Sequence, residues 1–222
     1  MKRDDPFIRY LYSLKHEDTG TLAALRRACG QRLAESRNCQ DFASVSTRPA
    51  DFLTVTLAAQ HSSDTIKKGN RWPYKGKGNI GAAWAEYCRK QKKDADPVIF
   101  YRKRQDELAK GRTPANIPTI HERFRTLLDA ELDRDGTGEL AYRLRGLVRM
   151  CVAAEVPIDV IQLAHDLRGW RAENRYVQER WAKAFYGQPW QVADDQGKPA
   201  NSETDEQITQ TDEEKENETH AD

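Results

Sequence analysis

Four segments of the C-terminal third read IHERFRTLLDAE (120–131), LAYRLRGLVRM (140–150), VPIDVIQLAHDLRGW (156–170) and NRYVQERWAKAFYG (174–187). In the second, Leu140, Leu144, Leu147, Val148 and, just beyond it, Cys151 share one face of a helix at about 100° per residue, while Arg145 and Arg149 fall on the other, with Tyr142 near them. In the first, Ile120, Phe124, Leu127 and Leu128 form the stripe and Arg125 points away. In the last, Val177, Trp181, Ala184 and Phe185 form it, and Arg175 and Lys183 face out. Helices that bury one side and repeatedly present guanidinium on the other suit a rigid scaffold for a polyanion, above all a nucleic-acid backbone.

The same period extends outward. Pro6 opens a helix to about Leu14, and Thr19 reads as the cap of a second over 22–35, with Leu22, Leu25, Cys29 and Leu33 as its stripe. Arg27 lies away from that stripe and Arg26 borders it. Asp51 reads as the cap of a helix carrying Phe52, Val55, Leu57 and Ala59; residues 53–57 could also alternate as a strand, but fit the helix. Residues 79–92 are helical, and a short helix should start at Asp96-Pro97. The fold class is therefore all-α, a helical bundle in two small lobes. Residues 1–113 make an N-terminal lobe and 114–190 an arginine-rich bundle, parted by the proline-bounded 114–118. Residues 191–222 have almost no apolar side chains, and a disordered acidic tail is expected there.

A net charge of +1 over 222 residues hides an asymmetry. From Asp194 on, eleven Asp/Glu stand against two lysines, a formal −9, which leaves +10 on residues 1–193. The N-terminal MKRDD is charged and leads into no apolar leader, and no apolar run approaches the ~18 residues of a membrane span. Cys29, Cys39, Cys88 and Cys151 are scattered, without zinc spacing, and Cys29 and Cys151 sit on apolar stripes. A reduced, cytoplasmic protein without membrane contact or cofactor is expected.

Residues 61–78 lose periodicity and turn basic. Lys67, Lys68, Arg71, Lys75 and Lys77 alternate with Trp72 and Tyr74. Lysines among aromatics suit single-stranded nucleic acid, because bases stack while ammonium groups meet phosphates. An exposed loop stapled to the body by Trp72-Pro73 reads equally well. Asp133-Arg-Asp-Gly-Thr-Gly-Glu-Leu140 imitates the start of a calcium loop, but its twelfth position is Leu144 rather than a bidentate Glu, so a turn capped by Asp135 or Thr137 is the better reading. Arg168, Arg171, Arg175 and Arg180 surround Trp170, with Glu173 and Glu179 available as surface partners. His121 could cap a helix or meet phosphate, and His165 reads as structural. No nucleophile elbow, Walker loop, dinucleotide fingerprint or metalloprotease helix occurs, so neither catalysis nor a metal is expected.

Three segments in this order, ALRRACG (24–30), HERFRTLLDA…YRLRGLVRM (121–150) and VPIDVIQLAHDLRGW…YVQERWAKAFYG (156–187), resemble the CasB-type small subunit of the type I-E CRISPR complex Cascade. GNIGAAWA (78–85) is similar to that family's central helix start. The resemblance implies a non-catalytic, all-helical protein present as a head-to-tail pair. It would lie beside other Cascade subunits, guide RNA and target DNA and stabilise the R-loop through basic backbone contacts. It maps those contacts to Arg26 and Arg27, to Arg123 or Arg125, to Arg143 and Arg145, and loosely to Arg168, Arg171 and Arg175. Residues 89–117 and the acidic tail depart from the family pattern. A stand-alone helical regulator, binding nucleic acid or a partner protein, is the alternative.

Overall fold

Asp5 starts the first helix. Its carboxylate accepts from the Phe7 N–H at 2.9 Å, and Pro6 takes a first-turn position that needs no donor, so α1 runs Pro6–Ser13. The computed structural model describes residues 5–14, 18–61, 76, 78–91 and 96–187, and all regular structure among them is helical.

Helix α2 spans Thr19–Arg27 and is shorter than its stripe predicts. Asp18, not Thr19, precedes its first residue. The chain then turns through Gly30, at φ +84°, and continues as two 3-10 segments, Leu33–Glu35 and Arg37–Ser44. Cys29 is still buried, but through the turn rather than along a continuous helix. Helix α3 spans Pro49–His61, so Asp51 lies inside its first turn and does not cap it. Proline at the first helical position was the better start signal.

Helix α3 is buried on every side, residues 51–59 all being buried. Leu53 and Leu57 join one cluster, while Phe52, Val55, Ala58 and Ala59 join another. The buried hydroxyls of Thr54 and Thr56 donate to Ala50 and Leu53 carbonyls within the helix, at 2.7 and 2.8 Å.

Helix α4, Ile80–Gln91, packs closely on α9, Tyr176–Phe185, because Gly81 has no Cβ: one built there would overlap the Trp181 carbonyl. Helix α5, Pro97–Ala109, starts as its sequence predicts, with the Asp96 carboxylate accepting from Val98 N–H at 2.9 Å. Helices α6, Thr119–Leu128, α7, Glu139–Ala153, and α8, Val160–Arg168, complete the set. The stripe of α7 is buried as read: Leu140, Leu144, Leu147, Val148 and Cys151 all lie in the larger cluster. Three indole N–H groups in that cluster find acceptors: Trp84 on Ile120 O and Trp170 on Ala130 O, each at 3.1 Å, and Trp181 on Asp166 at 2.5 Å. No described helix is long and apolar enough to cross a membrane.

Candidate nucleic-acid interface

The arginines read from sequence divide by what already holds them. Arg168, at the end of α8, is turned inward. Its Nε and Nη2 donate to the two carboxylate oxygens of Asp51 at 2.6 and 2.9 Å, and its Nη1 to Asp5 at 2.6 Å. The guanidinium also lies 5.4 Å from the Phe7 ring centre. These contacts tie α8 to the starts of α1 and α3, and its carboxylate partners raise the Arg168 pKa further.

Arg26 donates through Nε to the Ala59 carbonyl at 2.6 Å, satisfying a last-turn oxygen of α3. Arg145 donates to the Cys29 carbonyl at 3.3 Å, which sets α7 against the turn after α2. Arg145 thus reaches the segment just after Arg26 and Arg27, although 116 residues separate it from Cys29. Arg143 is held by Glu139 and by the Thr126 hydroxyl at 3.0 Å on α6. Arg125 pairs with Glu122 at 3.0 Å, and Arg123 reaches the Met150 sulfur at 3.5 Å. Arg175, in the left-handed conformation at φ 50°, donates to the Leu128 carbonyl at 2.7 Å and caps the end of α6. Arg27, Arg149 and Arg171 are exposed, and none is ion-paired among the described residues. Lys67, Lys68, Arg71, Lys75 and Lys77, with Trp72 and Tyr74, lie outside the described residues.

One groove gathers arginines that no helical stripe would have grouped. Arg48 precedes α3, Arg134 lies in the loop between α6 and α7, and Arg171 follows α8. The three line a groove of about 430 Å³ together with Arg168. All three are exposed and unpaired among the described residues, and Asp133 is the one carboxylate in the lining. The 129–138 loop is held in place for this. Gly136, at φ +80°, packs where a Cβ would strike Pro49, and Asp135 reaches Arg32 at 2.7 Å. The Thr137 hydroxyl donates to Asp135 at 2.6 Å and holds its carboxyl below the usual range, so Arg32 faces a charged partner. Arg48 and Arg134 escaped the sequence reading because they lie in aperiodic segments; an arginine beside each turn was the only signal.

The calcium-like segment is this loop. Its twelfth position, Leu144, is fully buried and cannot turn a ligand into it, and Asp135 spends its oxygens on the loop and on Arg32. His121 does not reach solvent phosphate. It is fully buried, with ring centres of Phe100, Phe185 and Tyr101 at 5.2, 5.5 and 5.6 Å. Asp166 is buried, accepting from Trp181 and from Gln162 at 2.8 Å and pairing with Arg180, so it is committed to packing. The four cysteines are buried thiols; desolvation pushes Cys88 up to about 12. No described group of three His, Cys, Asp or Glu side chains could hold a metal.

A family model described as CRISPR-associated protein Cse2 matches residues 21–186. A curated Cse2 protein of Thermus thermophilus is 41% identical over 69 residues, which is 31% of this chain and 36% of that protein's length. Among solved structures, M. ruber CasB is 25% identical with a TM-score of 0.54, covering 84% of this chain and 94% of that one. A Cse2-family structure from T. thermophilus has a TM-score of 0.52 at 24% identity, covering 82% and 94%, and shares the fold.

Proposed function

The chain belongs to the CRISPR-associated Cse2 family, a family of Cascade subunits, and we propose that in that assembly it binds target DNA strands and stabilises the R-loop without performing chemistry. Its partners are then the other subunits, a second copy of itself, guide RNA and target DNA, in the cytoplasm.

The observation that carries this reading is the groove where Arg48, Arg134 and Arg171 converge from three separate segments with no carboxylate to neutralise them but Asp133. Exchanging a DNA duplex for an RNA–DNA hybrid is nearly balanced in energy, so modest backbone contacts from protein can tip it. Guanidinium suits the task because it meets phosphate oxygens through a planar fork and stays charged at any physiological pH. Arg27, Arg123, Arg125 and Arg149 add exposed charge on α2, α6 and α7. Arg26, Arg143, Arg145 and Arg175 keep their positions by bonds within the fold. Arg168 positions the groove rather than lining it with free charge.

Affinity of the full-length chain for DNA, measured against salt on two unrelated sequences, tests this. Contacts to phosphate predict a steep log–log decline, the same for both sequences. A flat response, or strong preference for one sequence, contradicts it.

A further inference from the structure

Nothing among the described residues explains Gly146. It sits in the third turn of α7, is exposed, and a Cβ built on it would meet nothing within 4 Å. Glycine in a helix interior is unfavourable relative to alanine, and is normally explained by close approach of another group. Gly81 shows that explanation in this fold, against the Trp181 backbone. At Gly146 nothing among the described residues approaches.

Its surroundings say what could. On a helix, Tyr142, Gly146 and Arg149 lie within an arc of about 60°, directly opposite the buried Leu140–Leu144–Leu147–Cys151 stripe. Tyr142 is 80% exposed, the most exposed large apolar side chain described. Arg149 is exposed and unpaired among the described residues, and Arg145 borders the same face. The one carboxylate within α7, Glu139, is taken by Arg143. The face thus offers a flat ring, bare backbone one turn further on, and guanidinium about 10 Å along the axis from the ring.

We propose that this face of α7 receives an unpaired base of a nucleic-acid strand: the base stacks on Tyr142 and lies over the Cβ-less backbone at Gly146, and Arg149 meets the adjoining phosphate. The proposal rests on the nucleic-acid reading above and adds to it a discrimination. Backbone contacts serve duplex and single strand alike, whereas stacking needs a base already out of its pair. A strand displaced from a duplex has such bases.

The test compares binding of full-length chain to a single-stranded oligothymidine and to a duplex of equal length at one salt concentration. Tyr142→Ala should weaken single-strand binding about tenfold and leave duplex binding unchanged, and Tyr142→Trp should retain it. Gly146→Ala separates binding from folding. It should raise the melting temperature by about 2–4 °C, as a better helix former in open space, yet weaken single-strand binding. Equal losses on both DNAs, or no loss in Tyr142→Ala and Gly146→Ala, overturn the proposal. Loss of self-association in place of strand binding assigns the face to a second copy and overturns it too. If the wild type binds neither DNA, the nucleic-acid reading itself fails.

Discussion

Arg168 and Asp51 join through two parallel hydrogen bonds, 2.6 and 2.9 Å long, across 117 residues of sequence. Asp51 is fully buried, and Asp5 holds the remaining arm of the same guanidinium at 2.6 Å. The pair closes α8 over the first turns of α1 and α3, and Arg168 is part of the lining of the arginine groove.

Removing Arg168 leaves a buried carboxylate without its partner, a change that typically costs about 3–5 kcal/mol. Arg168→Ala should therefore unfold in denaturant at a much lower midpoint than wild type. Arg171→Ala, three residues on and exposed, should stay within about 0.5 kcal/mol. Equal stability of the two variants would mean that Arg168 is not the structural arginine of the groove.

Acid should act in two windows. Burial, with the nearby Arg168 charge, lowers the His165 pKa, and its Nε2 is buried without a hydrogen-bond partner among the described residues. The unfolded chain then takes up the proton first, so this contribution is intact above about pH 6.5 and is lost as pH falls below it. Asp5 has its pKa lowered, chiefly by the hydrogen bond from Arg168, so its contribution is intact above about pH 4 and is lost below that. Denaturation midpoints taken from pH 8 to pH 3 should fall in both windows. His165→Gln should flatten the first and Asp5→Asn the second.

Local signals were legible wherever the chain carried its own punctuation and period. The α7 stripe and the Asp96-Pro97 start of α5 are as the sequence states them. The end of α2 was not, because Cys29 and Leu33 continue a helical spacing that the turn at Gly30 interrupts. Nothing near Asp51 reveals that its partner lies at Arg168. A helix cap and a buried ion-pair partner look alike in sequence, and only tertiary packing chooses between them. For the same reason the interface was half legible. Arginines on periodic helices could be sorted by face, but which face carbonyls would occupy, as with Arg26 and Arg145, depended on neighbours far along the chain. Arg48 and Arg134 became a group with Arg171 only through the fold.

The charge of −9 from Asp194 onward should compete with DNA for the basic body. A chain ending at Ala193 should bind DNA more tightly than the full-length protein at low salt, with the difference shrinking as salt rises. Its melting temperature should be unchanged. Weaker DNA binding, or a lower melting temperature, would assign the tail a part in binding or folding.

The lifetime of the R-loop formed by the assembled complex on matched target DNA tests the central claim most directly. Wild-type subunit is compared with the Arg48→Glu, Arg134→Glu, Arg171→Glu triple variant, after melting curves show both folded. All three side chains are exposed and unpaired among the described residues, so folding should be little affected. The groove account predicts a markedly shorter-lived R-loop with the variant, and guide RNA content unchanged. An R-loop of wild-type lifetime would contradict it.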